Sequence, residues 1–342
     1  MGDLRDVPLS VLDTAAVSEG MTVGEALRNS IDLARHAERL GYTRFWVAEH
    51  HSSLGIASSA PAVLLAHVAE ATSRIRVGAG GVMLPNHASL AIAEQFGTLE
   101  ALHPGRIDLG LGRAPGTDRL TAYALRGSEE KLNADDFPEQ LGELLAFFKG
   151  EFPDDHPYRR ITAVPGLGHL PAIWLLGSSL FGAKLAGLLG LPFSFAHHFS
   201  AENTLPALET YRANFRRSAV LDAPHAMVAV AVIIGEDDER AEWLAGPSLL
   251  AFARQRLGQP GRMPSPEDAA AHDYTAQERA LIAERRRGGG QLVGGPESIA
   301  RQLGELLDRT QANELMITTR AFHYADRVRT YETLATLGAL HG

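Results

Sequence analysis

The chain has 342 residues, enough for two ordinary domains or for one α/β barrel, a fold that runs to about 250 residues or more as a single unit. Its 32 Lys and Arg against 41 Asp and Glu leave a net charge of −9, which argues against nucleic acid or an anionic membrane surface as the main partner, since both want a basic face. Cysteine is absent, which excludes disulfides, thiolate zinc sites, iron–sulfur ligation and a cysteine nucleophile, while 45% hydrophobic residues suffice for a large core.

Asp3 and Asp6 stand where a signal peptide needs positive charge, which predicts a cytoplasmic protein. The first apolar run, LSVLD from Leu9, reads as a strand. In the stretch after it Ala26, Ser30, Leu33, Ala34, Ala37 and Leu40 recur at helical spacing, and Gly41 stops the helix. Further strands are predicted from Arg44 (RFWVAEHH), Ile75 (IRVGAGGVML), Arg106 (RIDLGLG), Ile173 (IWLLGSS), Leu191 (LPFSFAHH), Ala226 (AMVAVAVIIG) and Glu314 (ELMITT). The uncharged stretch from Ile161 to Ala183 is broken by Pro165, Gly166, Gly168, Pro171 and Gly177, so it reads as a loop and a buried strand and not as a membrane span.

Eight strands alternating with amphipathic segments predict an α/β protein, a (β/α)8 TIM barrel with insertions after strands 4 and 7, as one domain over residues 1–342. A doubly wound sheet is the alternative, but the GxGxxG turn after a first strand is missing; GLGRAPG at Gly110–Gly116 matches it only loosely. Residues 258–291, rich in Pro, Gly and charge, read as a mobile lid, and Arg285-Arg286-Arg287 within it as a solvated helix end, with a phosphate site as the weaker alternative.

A barrel gathers its site at the C-terminal ends of its strands. Those ends offer Asp13, Glu49-His50-His51, Gly78 to Gly81, Gly110, Gly112 and Arg113, Gly177-Ser178-Ser179, and His197-His198. His50 is an imidazole able to act as acid, base or ligand, with Glu49 placed to orient it; packing against a helix is the competing reading, and stronger for His51. A metal site lacks the first-strand HxH pair and bridging carboxylate it would need. Gly80 and Gly81 allow close backbone approach to a flat ligand, or mark a bulge. Gly177, Ser178 and Ser179 precede LFGAKLAGLLG, a predicted helix whose N-terminus suits phosphate, with Arg113 as a cationic partner; an ordinary serine N-cap explains the same residues.

WVAEHH, VGAGGVMLPNH, AEQFGTLEALHPGRIDLGLGRAPG, LLGSS, PESIARQL and QANELMITT, in this order, resemble the bacterial luciferase-like flavin-dependent monooxygenases, and within them the MsnO8-like single-chain oxidoreductases more than the light-emitting subunits. The likeness runs from about Leu9 to Tyr331. It implies reduced FMN and dioxygen acting on a small organic molecule, with His50 as the active-site histidine and Glu49 beside it. It further implies that Gly80-Gly81 is a cis peptide under the flavin ring, and that Arg113, Ser178, Ser179 and Arg126 hold the flavin phosphate. Gly112 replaces the reactive cysteine of the luciferase α subunits, and Ser178 replaces the glutamate that precedes their phosphate-site serine. With no dinucleotide-binding module in view, the resemblance implies a separate NAD(P)H:flavin reductase, making a two-component system, and a homodimer. A dehydrogenase using the deazaflavin F420, or a non-catalytic flavin-binding protein, are the alternatives on the same fold.

Overall fold

The computed structural model describes residues 3–128 and 136–339. Eight parallel strands close on themselves: β1 (Leu9–Asp13), β2 (Arg44–Val47), β3 (Arg76–Met83), β4 (Ile107–Gly112), β5 (Ala172–Gly177), β6 (Phe193–Phe195), β7 (Ala226–Ile234) and, as the eighth stave, β9 (Glu314–Thr318). β6 pairs with β7, β7 with β9, and β9 with β1, so these eight staves close into a barrel. This is the predicted (β/α)8 barrel, and all eight predicted strands fall on its staves.

Local sequence explains how each unit closes. Helix α1 (Val23–Arg39) begins with a capping box in which Thr22 and Glu25 satisfy each other's backbone N–H. It buries Ala26, Ser30, Leu33, Ala34 and Ala37, and the chain leaves through Gly41 at φ +80°. Helices α2 (Pro61–Ala71) and α3 (Ser89–Leu102) follow β2 and β3 in the same way. The insertion after the fourth strand holds α4 (Arg119–Arg126) and α5 (Phe137–Lys149); α6 (Leu180–Leu189) and α7 (Thr204–Asn214) follow β5 and β6.

The longer insertion, after β7, carries α8 (Asp238–Arg256), α9 (Pro266–Ala271), α10 (Ala276–Arg287), a ninth strand β8 (Gln291–Gly294) and α11 (Pro296–Thr310), and α12 (Tyr324–Leu337) closes the chain. Ala231 pairs with Thr318 on one side and Gln291 on the other, so β8 occupies the position of β6 further up β7. Four residues of plain composition gave no strand signal there. The segment expected to be a lid is built as α9 and α10, each begun by a side-chain cap, at Ser265 and Thr275.

Two cores result from strand alternation. Phe45, Val47, Val77, Leu109, Leu175, Val228 and Ile317 face the helices, each fully buried aliphatic side chain being worth about 1.5–3 kcal/mol. Leu12, Trp46, Ala48, Trp174, Met227, Ala229 and Met316 fill the lumen, where the two indoles meet edge to face at 5.4 Å. The N-terminal end of the lumen is closed by compensating charges. Arg44 reaches Asp108 at 2.9 Å and Glu314 at 2.8 Å, and Arg76 reaches Asp108 at 2.6 Å. Trp46 Nε1 donates to Asp108 and Ser10 Oγ to Glu314. The site is thereby left to the opposite end.

Candidate active site

Trp46 and Ala48 belong to the lumen, so continuing the alternation of β2 turns His50 inward and Glu49 and His51 the other way. Contacts follow this division. Glu49 is 1% exposed and accepts from His51 Nε2 at 2.8 Å, from His87 Nε2 at 2.9 Å and from the Met83 N–H at 3.1 Å. An ionised carboxylate only accepts, so both imidazoles hold hydrogen on Nε2. Burial pushes the Glu49 pKa up, but the bonds from His87, His51 and Met83 outweigh it and hold the carboxyl below its ordinary value.

The expectation that Glu49 orients His50 is therefore corrected: Glu49 organises His51 and His87. His50 Nδ1 is buried with no hydrogen-bond partner. Burial, reinforced by the charge of Arg320, lowers the His50 pKa from its usual value and favours the neutral ring. Arg126 is buried at the end of α4, where its Nε donates to Asn86 Oδ1 at 3.0 Å. Asn86 in turn donates to Pro115 O at 2.8 Å. Arg126 thus enters the side of the mouth that Glu49 stiffens.

The Gly80–Gly81 peptide is cis, as the resemblance implies. Packing alone already demands glycine there. A Cβ on Gly80 would stand 2.7 Å from the Trp46 ring, and one on Gly81 2.7 Å from Gly110 O. Gly110 is tighter still, 2.3 Å from Ala79 O. The third and fourth staves so approach backbone to backbone, leaving a floor with few side chains.

Beside that floor, on the neighbouring stave, Gly177, Ser178 and Ser179 lead into α6. Ser179 occupies the N-cap but its hydroxyl caps nothing, and neither serine forms a hydrogen bond among the described residues. Both are exposed. The ordinary N-cap reading therefore fails, and the first-turn N–H groups of α6 stay open. Arg113 lies beside them, its guanidinium 4.2 Å above the Phe181 ring in that first turn, with no ion pair among the described residues. An uncapped helix start, two idle hydroxyls and an uncommitted arginine make a site fit for a phosphate.

The remaining strand ends separate into structure and mouth. Asp13 is buried and accepts from the Ala15 N–H and the Ser30 hydroxyl, a closed local arrangement. His197 bonds Thr204 at 2.7 Å through Nδ1 and Gly289 O at 3.1 Å through Nε2. His198 donates from Nδ1 to Ala229 O at 2.9 Å, and burial drives its pKa down to about 4. Arg285 is no solvated helix end, because its Nη1 donates to His198 O at 2.8 Å, while Arg286 does stay outside, paired with Glu242. Among the described residues no group of three or more His, Cys, Asp or Glu is arranged to hold a metal ion, and no helix is long and apolar enough to cross a membrane.

A model of the family described as luciferase-like monooxygenase matches residues 7–314. The chain belongs to the luciferase-like monooxygenases. It is 42% identical over 328 residues to a luciferase-like monooxygenase of Escherichia coli, covering 96% of each chain. It is 35% identical over 331 residues to the N-acetyl-S-alkylcysteine monooxygenase of Bacillus subtilis, covering 96% of this chain and 97% of that one. Among solved structures, that of apo-MsnO8 superposes with a TM-score of 0.89 at 37% identity, over 98% of this chain and 99% of the other.

In this luciferase-like monooxygenase the structure gathers His50, the Gly80–Gly81 floor, Arg113 and the Gly177-Ser178-Ser179 turn at one barrel end, and sets Glu49 and Arg126 one layer back. Sequence reading missed His87, Asn86, Arg320 and the inward turn of Arg285. His87 lay inside the VMLPNH motif, and a buried acid such as Glu49 needs donors; that was the available signal.

Proposed function

We propose that this luciferase-like monooxygenase binds FMN at the C-terminal mouth of its barrel and inserts one oxygen atom from dioxygen into a small organic substrate. The uncapped start of α6 facing Arg113 carries the reading. The N–H groups of α6, the hydroxyls of Ser178 and Ser179 and the Arg113 guanidinium would hold the phosphate, and the Gly80–Gly81 and Gly110 backbone would lie against the ring. When bound, reduced FMN supplies the electrons that activate dioxygen.

The chain's own work is then positioning and exclusion of water. Buried Nδ1 of His50, unpartnered on a neutral ring, is placed to hold or pass one proton near the ring site. Glu49 fixes His51 and His87 and so stiffens the second and third staves on either side of it. Helix α10, tied to the end of β6 through Arg285, roofs the mouth and closes over the bound flavin. No dinucleotide-binding turn occurs in the sequence, so the reduced flavin comes from a separate NAD(P)H:flavin reductase, and the enzyme works as a homodimer.

A visible-spectrum titration with FMN tests the site, and single turnover with reduced FMN under air tests the chemistry. The rival reading, F420-dependent hydride transfer, predicts instead anaerobic turnover with the reduced deazaflavin and none with reduced FMN. Peroxide released in full, with no oxygenated product from any substrate offered, would point to a non-catalytic flavin carrier.

A further inference from the structure

Arg320 follows β9, two residues past Thr318, on the side of the strand that Met316 gives to the lumen. Its side chain keeps partial exposure, yet Nε is sealed from solvent and has no hydrogen-bond partner. Among the described residues no carboxylate pairs with it. The charge that reaches it is of the same sign, from Arg285. Arg285 is equally without an acid: it donates to a backbone carbonyl at His198 and lies 5.1 Å over the Phe252 ring. His198 and His50, which face the same space, are both held toward the neutral form by burial and by these arginines, so neither adds a further positive charge.

Two guanidinium groups near enough for the charge of one to act on the other, with no acid beside either among the described residues, are costly to bury. The base of the same barrel shows how the chain treats cations when structure is the purpose, since Arg44 and Arg76 there are matched by Asp108 and Glu314. Among the described residues that matching is absent at the mouth. The cluster also stands apart from the proposed phosphate site. Arg320 is on the stave between β7 and β1, whereas α6 follows β5, with two staves intervening by the shorter way round.

We propose that Arg320 and Arg285 form a receptor for a carboxylate on the substrate, so that this monooxygenase acts on small carboxylate-bearing molecules held with their apolar part over the Gly80–Gly81 floor. The proposal rests on the mouth being the substrate site. A planar guanidinium takes a carboxylate through paired N–H donors, and the sealed Nε of Arg320 supplies one of them.

The test compares hexanoate with hexanamide, of equal length and differing in charge, by calorimetric titration of the protein without added flavin. Hexanoate should bind roughly 10- to 100-fold more tightly, the range of a charge-assisted bond in a partly buried site. Arg320→Gln should abolish the preference, Arg320→Lys should restore part of it, and Arg113→Ala should leave it intact. Equal binding of the two probes, a preference that survives Arg320→Gln, or one that vanishes with Arg113→Ala overturns the proposal. Arg285→Gln gives an independent reading should Arg320→Gln fail to fold, and must weaken hexanoate more than hexanamide. FMN titrated into the same proteins separates the two ideas: failure of the parent to bind FMN refutes the flavin reading and leaves the probe comparison standing.

Discussion

Glu49→Gln tests Glu49 as the carboxylate that holds this side of the mouth together. Four donors converge on Glu49: the rings of His51 and His87, the Met83 backbone N–H and, at 3.5 Å, Asn86 Nδ2. A glutamine presents one oxygen and an NH2 group, so at least one donor meets another donor and is left unpaired in a buried place. That costs about 1–3 kcal/mol, and a tautomer change at one histidine places the loss at the lower end. Urea unfolding at pH 7 should show a midpoint lowered by this amount divided by m, with m itself unchanged. The gap should also depend on pH. Because the Glu49 pKa is held below its unfolded value, its contribution is complete above the ordinary glutamate range and is lost as pH falls through the folded value. Parent and variant should therefore converge under acid conditions. Equal stability at pH 7, or a gap that does not shrink on acidification, refutes the assignment. The His50 titration followed by NMR should move downward, because the Glu49 charge acts on that ring through space although no hydrogen bond joins the two side chains.

Other outcomes follow from the same geometry. Arg113→Ala should weaken FMN by one to two decades, about 1.5–3 kcal/mol, in a spectral titration; unchanged affinity removes Arg113 from the phosphate site. His50→Ala should hold FMN affinity within about threefold while lowering product per reduced flavin by roughly 10²–10⁴, and an unchanged yield would make His50 a packing residue. Arg320→Gln should raise the His50 pKa, read from its ring proton shifts, because the arginine charge disfavours the imidazolium; no shift would place Arg320 too far away to matter. Gly110→Ala, whose Cβ would fall 2.3 Å from Ala79 O, should destabilise by at least about 1–3 kcal/mol in urea, and a neutral result would contradict the backbone contact between β3 and β4. Hydrogen exchange over residues 258–291 should slow when FMN binds, and equal rates with and without it would contradict closure of α10 over the mouth.

The barrel was legible because parallel strands buried on two faces leave long apolar runs, and β1, β4 and β7 are buried at every position. The start of α6 was legible for a similar reason, since Gly-Ser-Ser between a strand and an apolar helix has few uses. β8 escaped notice because four residues carry no periodicity. The pairing of Glu49 with His50 misled because neighbours in sequence point to opposite sides of an extended chain; the partners of Glu49 were His51, two residues on, and His87, on another stave. Arg285 read as part of a solvated helix end and Arg320 drew no notice, because nothing in a single sequence tells which charged residue beyond an element folds back over the mouth. Only the absence of a counter-charge among the described residues, visible in three dimensions, separates them from the solvated Arg286.

The ionic stopper at the base of the barrel has a kinetic meaning. Arg44, Arg76, Asp108 and Glu314 fill the lumen from below, and the indoles of Trp46 and Trp174 stack the next layer. The vessel therefore has one doorway. On the proposed reading flavin, dioxygen, substrate and product would all pass the same rim, so arrivals and departures would form a queue. Whichever molecule lies deepest must enter first and leave last, and a bulky product lodged at the rim would detain the spent cofactor beneath it.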